Sequence, residues 1–237
     1  DLHNNQLIYS GVDYKDVKGL WGNIYSYDLV KEETHCIYNQ KMQINKVFFY
    51  NNEIKVYGTY GKEYGAIETG KFYTLKDNEM ILTVDSEVGM YNSIASDLKY
   101  GSYKSFFKYQ GTPYFVGSVN ETSVLHKYED QLEVVLNGSC EDFIITQNGI
   151  YFIGSIDTKL QEIYFVNKEI NKISSFNDQF LNEYFISIPQ KVTVYKDMNV
   201  DGFVMLPKDY DETKEYPLVF FLHGAGERGE DLDVAAR

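Results

Sequence analysis

Residues 150–175 read IYFIGSIDTKLQEIYFVNKEINKISS, and this stretch indicates the fold class. It holds three short runs rich in aromatic and β-branched residues, at Ile150–Ser155, Glu162–Val166 and Lys172–Ser175, and a fourth run, Phe143–Thr146, precedes them. Aromatic and β-branched residues favour strands, and the polar residues between the runs favour turns. We therefore predict four short strands over residues 143–175.

A similar arrangement occurs four times along the chain: each repeat holds three short strands, and every repeat except the first has a fourth strand candidate ahead of them. The middle strands of the four units are expected to start near residues 24, 72, 124 and 163, which gives spacings of 48, 52 and 39 residues. A repeat of roughly 40–50 residues built from four strands is typical of a β-propeller blade. One four-stranded sheet cannot bury both of its faces, so blades stack around an axis. A β-sandwich with coincidental spacing is the alternative.

The repeat predicts an all-β protein with about four propeller blades, at residues 1–43, 44–92, 93–139 and 140–190. Propellers usually hold ~4–8 blades, so four blades could close a ring. The chain starts abruptly on a strand and has no terminal strand that would close a ring. We therefore expect the blades to form part of a larger propeller.

The character of the sequence changes after Gln190. Residues 191–195 and 202–206 are predicted to form two strands joined by a polar turn, and a charged loop follows them. Pro217–Leu222 is short and apolar throughout, as expected of a strand that is buried on both faces of an α/β sheet. We interpret residues 191–237 as the truncated start of an α/β-hydrolase domain.

The loop after this apolar strand is the candidate site. A buried strand that runs into His-Gly-x-Gly is how α/β-hydrolases place their oxyanion loop. Small residues let the backbone N–H groups approach the developing oxyanion. The candidate donors are the N–H groups of Ala225 and its neighbours Gly224 and Gly226, and His223 would orient the loop. The alternatives are a plain glycine-rich turn and a dinucleotide fingerprint, which would require a following helix and an acidic residue.

No catalytic nucleophile, metal ligand set or cofactor motif is evident in the sequence. The motif G-x-S-x-G does not occur, and His3, His35 and His126 have no spacing suited to a metal site or a triad. Asp197, Asn199 and Asp201 match half of a calcium loop, but Lys208 occupies the position of the bidentate glutamate. We expect no metal, no cofactor and no bond between Cys36 and Cys140.

Composition limits the possible partners. The 237 residues are 43% hydrophobic and carry a net charge of −13, so the chain is globular but would repel a phosphate backbone. The longest apolar run, Leu218–Leu222, is far shorter than the ~20 residues of a membrane span. We expect no nucleic-acid partner and no membrane association. The chain begins at Asp1 with no Met and no positively charged, apolar leader, so the sequence constrains the compartment little, and our expectation is the cytoplasm.

The order of these motifs resembles the prolyl oligopeptidase family of serine peptidases, and the bacterial acylaminoacyl-peptidase branch most of all. The resemblance covers most of residues 1–222 and rests on the segments Gly22–Tyr25, Ser96–Leu98, Asn177–Leu181, Val200–Pro207, Lys214–Val219 and His223-Gly224. It implies later blades of a seven- or eight-bladed propeller that filters substrates by size, followed by the first strands of the catalytic domain. The Ser, Asp and His of the triad would lie beyond Arg237.

The resemblance implies that the chain is the substrate-gating portion of a serine hydrolase that cleaves short peptides or acyl-aminoacyl N-termini, inactive by itself. Family members usually read His-Gly-Gly-Pro where this chain has Ala225 and Gly226, and the loop is also similar to that of esterases related to feruloyl esterases. A propeller-linked esterase and a non-catalytic binding module therefore remain alternatives. Exposed propeller edges would favour a homo-oligomer.

Overall fold

The computed structural model describes residues 1–12, 21–63, 65, 68–92, 106–120, 122–156, 160–195 and 199–221. The described residues form two compact units. The first unit contains residues 1–91, 106–115 and 126–135, and the second contains the remainder. Strands dominate both units, and the single described helix is short.

Sixteen strands form four four-stranded sheets. The first sheet contains β1 (Leu2–His3), β2 (Gln6–Val12), β3 (Gly22–Asp28) and β4 (Glu33–Tyr38), and the second contains β5 (Gln43–Tyr50), β6 (Glu53–Thr59), β7 (Lys71–Lys76) and β8 (Glu79–Val84). The third contains β9 (Phe106–Tyr109), β10 (Thr112–Val119), β11 (Thr122–Tyr128) and β12 (Leu132–Leu136). The fourth contains β13 (Ser139–Thr146), β14 (Gly149–Ser155), β15 (Glu162–Val166) and β16 (Ile170–Lys172).

Each strand pairs with the next one along the chain, so every sheet is a meander. The pairs are antiparallel throughout the first, second and fourth sheets. The predicted all-β class and the repeated four-stranded unit are confirmed. Strand β1 was not predicted, because the sequence indicated only three strands in the first four-stranded repeat.

Local sequence explains the hairpins that join the strands. Both residues of Asn4-Asn5, Asn51-Asn52 and Asp77-Asn78 have φ between 47° and 62°, and these pairs connect β1 to β2, β5 to β6 and β7 to β8. Two successive positive φ values define the two-residue turn whose twist matches that of the flanking strands. Asn and Asp tolerate this conformation better than other residues that carry a side chain.

The second sheet is buried on both faces. Val47 and Phe49 of β5 pack with Ile8 and Ile24 of the first sheet. Phe48, which lies between them, points to the opposite face and packs with Phe115 and Tyr128 of the third sheet. Each such side chain contributes about 1.5–3 kcal/mol through burial. This face-to-face stacking explains why the strands are so rich in aromatic residues.

The chain continues after the fourth sheet through helix α1 (Asp178–Glu183) to a hairpin of β17 (Gln190–Tyr195) and β18 (Asn199–Val204). The predicted strand at 217–222 is wrong for residues 217–221, which form no strand. Leu218, Val219, Phe220 and Phe221 are 76%, 86%, 77% and 78% exposed. A buried strand requires partner strands on both sides, and the described residues supply none beside this segment.

Candidate functional site

The predicted oxyanion loop, with His223, Gly224, Ala225 and Gly226, lies outside the described residues. Its roles therefore stay predictions. The structure describes the approach to this loop, from the β17–β18 hairpin to Phe221.

One face of the hairpin carries four valines, and the other mixes polar residues with the aromatic Tyr195 and Phe203. Val192, Val194, Val200 and Val204 lie on the same face, because the register pairs Val194 with Val200 and Val192 with Gly202. All four valines are exposed. Leu218–Phe221 are also exposed, so both the hairpin and the segment at 218–221 present apolar side chains to solvent. Such a surface is typical of an interaction site.

The other face holds Asp201 in an ion pair. Lys191 Nζ lies 2.9 Å from Asp201 Oδ2, and Thr193 Oγ1 donates to Asp201 Oδ1 at 2.7 Å. The hydrogen bonds from Lys191 and Thr193 lower the pKa of Asp201. Asp201 therefore contacts a lysine of the neighbouring strand, which agrees with the expectation of a polar hairpin. Asp197 lies outside the described residues.

Two hydrogen-bonded contacts shape the chain around the hairpin. Ser187 Oγ donates to Leu206 O at 2.8 Å and accepts from Leu206 N at 3.1 Å, so the segments before β17 and after β18 are tied together. Asp211 N donates to Tyr216 OH at 2.9 Å within the charged loop. Hydrogen bonds therefore hold the chain at Leu206 and at Tyr216, the residue before Pro217.

The three described histidines have different surroundings. His126 is buried and stacks on Phe115 with ring centroids 5.3 Å apart, whereas His3 contacts Asn52 and His35 lies beside Glu33. Within the described parts of the chain, no three His, Cys, Asp or Glu side chains are grouped as a metal site requires.

The two cysteines are free and differ in environment. Cys140 is buried on β13, and this burial, reinforced by the charges of Glu141 and Asp142, raises the pKa of its thiol well above the usual range. Cys36 is exposed. A buried thiol with a raised pKa is a poor nucleophile, because the thiolate is the reactive form. Cys140 is therefore not a catalytic candidate.

Two lysines on the first strands of their sheets were not singled out by the sequence. Lys108 of β9 donates to Asp1 Oδ2 at 2.7 Å, and Lys46 of β5 lies 4.5 Å from the ring centroid of Phe106. Burial lowers the pKa of both lysines. Isolated lysines give no sequence signal of this kind, because partial burial depends on how neighbouring sheets stack.

Among the residues that the structure describes, no helix has both the length and the hydrophobicity needed to cross a membrane.

The fold is similar to that of known proteins. No protein-family model matches the sequence, and no curated protein sequence matches it either. Solved structures do match. Acylaminoacyl peptidase from Pyrococcus horikoshii superposes with a TM-score of 0.66 at 17% identity, covering 92% of this chain and 33% of the peptidase. An acylaminoacyl peptidase in complex with Z-Gly-Gly-Phe-chloromethyl ketone gives 0.65 at 16% identity, covering 89% and 32%.

The β-propeller domain of the Trilobed protease from Pyrococcus furiosus also superposes, with a TM-score of 0.53 at 14% identity over 75% of this chain and 54% of that domain. The chain spans about a third of the length of the acylaminoacyl peptidases. At these identities the likeness is one of fold. The chain has the β-propeller fold found in peptidases of the prolyl oligopeptidase family, as the resemblance of its sequence predicted.

Proposed function

We propose that this chain is the propeller portion of a serine hydrolase that cleaves short peptides or acyl-aminoacyl N-termini. The observation that carries the proposal is the shared fold, since the chain aligns over nine-tenths of its length with a third of an acylaminoacyl peptidase. The propeller blades admit small substrates to the catalytic domain and exclude folded proteins. The nucleophile, the acid and the base lie in residues outside these 237, and the chain by itself has no hydrolase activity.

The exposed apolar end of the chain supports this proposal. Hairpin β17–β18 and residues 217–221 present apolar side chains on a segment that follows the last blade. In the proposed enzyme these apolar residues pack against the catalytic domain. The loop at residues 223–226 follows them directly, with the Ala225 N–H directed to the oxyanion.

The central experiment uses the natural protein purified from its source. Its intact mass is measured, and it is treated with a fluorophosphonate, which labels activated serines. Labelling together with a mass well above that of 237 residues supports the proposed hydrolase. A protein of 237 residues that is not labelled contradicts it and favours the alternative, a non-catalytic propeller that binds a partner.

Substrate comparison separates the peptidase from the esterase. Acyl-peptide and aryl-ester substrates are compared by kcat/KM in the natural protein, together with a series of peptides of increasing length. The proposed peptidase prefers the acyl-peptide, and its kcat/KM falls steeply once the peptide exceeds the size that the propeller admits. A preference for the aryl ester with no dependence on size supports the propeller-linked esterase instead.

The role of the loop is tested by Ala225→Pro in the natural protein, because proline lacks the backbone N–H. Removal of one oxyanion donor is expected to lower kcat by roughly 100- to 1,000-fold. Ala225→Ser keeps the N–H and is the matched control, with kcat close to that of the unmodified protein. Equal activity of the two variants would remove Ala225 from the proposed site.

A further inference from the structure

Helix α1 is too short and too exposed to be stable through its own interactions. It has six residues, none of which is buried, and its N-cap residue Asn177 makes no side-chain capping hydrogen bond. Isolated helices shorter than about 12–15 residues are marginal in water, and most helices are held by the packing of an apolar face. The contacts that hold α1 must therefore come from another element.

The carboxylate of Glu162 on β15 supplies those contacts. Glu162 is 3% exposed. Its Oε1 accepts from the backbone N–H of Asn177 at 2.8 Å and from Asn177 Nδ2 at 3.3 Å. Its Oε2 accepts from the backbone N–H of Phe176 at 3.1 Å and from the hydroxyl of Ser174. All four donors belong to residues 174–177, which lead directly into α1.

The carboxylate is charged, and its surroundings keep it so. Burial acts to raise the pKa of Glu162, but the hydrogen bonds from Ser174, Asn177 and Phe176, with the nearby charge of Lys172, outweigh it, and the pKa lies below its ordinary value. Lys172 also forms an ion pair with Asp178, the first residue of α1. Hydrogen bonds to a charged acceptor are roughly twice as strong as those between neutral groups.

We propose that Glu162 and the four donors of Ser174, Phe176 and Asn177 form a clamp that folds helix α1 onto the exit of the fourth sheet. The carboxylate holds the segment that precedes the helix and acts from strand β15. The clamp thereby presents the aromatic pair Phe180 and Tyr184, which are exposed and stacked with ring centroids 4.6 Å apart. Loss of the charge on Glu162 releases residues 174–177 and unfolds α1, while the sheet remains.

The test is hydrogen exchange in the full chain with Glu162→Gln. Glutamine keeps the shape of the side chain, but it removes the charge and places an NH2 donor against N–H donors. Exchange of the amides in residues 176–184 is expected to accelerate by roughly 10- to 100-fold, since hydrogen bonds to charged groups are the strong ones. Exchange in β14 is expected to stay unchanged and reports that the fourth sheet is folded.

The matched control is Glu183→Gln in α1 itself. Glu183 is exposed and accepts a hydrogen bond from Gln179 Nε2 at 2.9 Å. Its replacement is expected to change the exchange of α1 by less than threefold, which is the scale of an i,i+4 pair. An equally large acceleration in Glu183→Gln would show that α1 responds to any lost contact and would overturn the clamp.

A pH profile separates a charged clamp from simple packing. Because the pKa of Glu162 is lowered in the folded chain, the clamp is complete above the ordinary carboxyl pKa and is lost as the pH falls through the lowered value. Protection of the Phe176 and Asn177 amides, corrected for intrinsic exchange, is expected to fall over that acidic range in the unmodified chain. The other charged groups around the site are Lys172 and Asp178, which form an ion pair with each other. In Glu162→Gln, the protection of these two amides is expected not to change with pH, and a similar fall in that variant would contradict the clamp.

Two further variants keep the proposal testable if Glu162→Gln unfolds the sheet. Ser174→Ala and Asn177→Ala each remove a side-chain donor and leave the Glu162 carboxylate in place. Each is expected to accelerate exchange in α1 by several-fold with β14 unchanged. Unchanged exchange of α1 in both variants, or in a folded Glu162→Gln chain, would overturn the proposal. None of these outcomes depends on whether the natural protein is a hydrolase.

Discussion

At the scale of single residues, the two cysteine thiols are expected to react very differently. Cys36 is exposed, whereas Cys140 is buried and burial raises the pKa of its thiol. The thiolate is the form that attacks disulfide reagents. A colorimetric disulfide reagent is therefore expected to titrate one thiol per native chain and two per chain after denaturation. Cys36→Ser should abolish the native reaction, and a persistent native signal in that variant would show that Cys140 is accessible.

Lys55 is the second residue whose role can be measured. Its side chain is 2% exposed, and Nζ lies 2.8 Å from Glu53 Oε2, 2.7 Å from Asp130 Oδ1 and 2.9 Å from Thr74 Oγ1. Burial acts to lower the pKa of Lys55, but its hydrogen bonds to Asp130 and Glu53 outweigh this effect. The pKa of Lys55 is therefore above its ordinary value. The lysine is charged at neutral pH.

We expect Lys55→Ala to lower the free energy of unfolding by about 2–4 kcal/mol, through the lost packing of its buried stem. Lys55→Met keeps most of that stem, and the two carboxylates are half exposed and can be hydrated, so its cost should be much smaller. Urea unfolding measures both variants, with the exposed Lys41→Ala as the control. Equal losses in the alanine and methionine variants would show that the charge dominates.

At the scale of elements, two bulged strand pairs require glycine. The register shifts between Ile44 and Lys46 of β5 and between Cys140 and Asp142 of β13. A Cβ at the facing Gly58 would lie 2.3 Å from Gln43 O, and one at Gly154 would lie 1.9 Å from Ser139 O. A Cβ on Gly202 of β18 would meet its nearest atom, Val192 O, at 4.0 Å.

Gly154→Ala is therefore expected to lower the free energy of unfolding by about 1–3 kcal/mol, because the strands must separate to admit the methyl group. Gly202→Ala lies in the same unit and is expected to be neutral or stabilising by up to about 1 kcal/mol, because alanine restricts the unfolded chain. Both are measured by urea unfolding. A neutral Gly154→Ala variant would contradict the close approach of β13 and β14.

At the scale of the whole molecule, one face of the first sheet is exposed although the corresponding face of the second sheet is buried. Tyr9 pairs with Tyr25 in the first sheet as Val56 pairs with Tyr73 in the second. Val56 and Tyr73 are 0% and 8% exposed beneath the first sheet, whereas Tyr9 is 39% exposed and stacks on Tyr25. The first sheet therefore presents a face of the kind that packs against another blade. In the proposed larger propeller a further blade covers it.

We expect the 237-residue chain to self-associate through this face, because sheet faces with exposed aromatic residues favour contact with another chain. Sedimentation velocity over a range of concentrations measures the association. Tyr9→Lys should shift the chain toward monomer, and Val134→Lys, at an exposed position on β12, is the control. A monomer at every concentration, or association that is unchanged in Tyr9→Lys, would contradict this prediction.

Local sequence patterns determined the strands and their repetition. Runs of aromatic and β-branched residues, separated by pairs such as Asn51-Asn52 that accept positive φ, are sufficient because strand and turn preferences act over a few residues. The predicted fourth-sheet strands at 150–155 and 162–166 correspond to β14 and β15. The spacing of these repeats predicted the propeller, and the order of many weak motifs gave the resemblance to the prolyl oligopeptidase family.

Tertiary contacts decided the remainder, because they join residues whose sequence gives no sign of a partner. The last strand of the fourth sheet was predicted at 172–175, but β16 ends at Lys172. It ends there because Ser174 contacts Glu162 of β15, 12 residues earlier. Position 154 requires glycine because the carbonyl of Ser139 lies against it. The charge of Lys55 is paired with Asp130, which is distant in the sequence. Leu218–Phe221 has the composition of a buried strand, yet burial requires neighbouring strands, which composition alone does not supply.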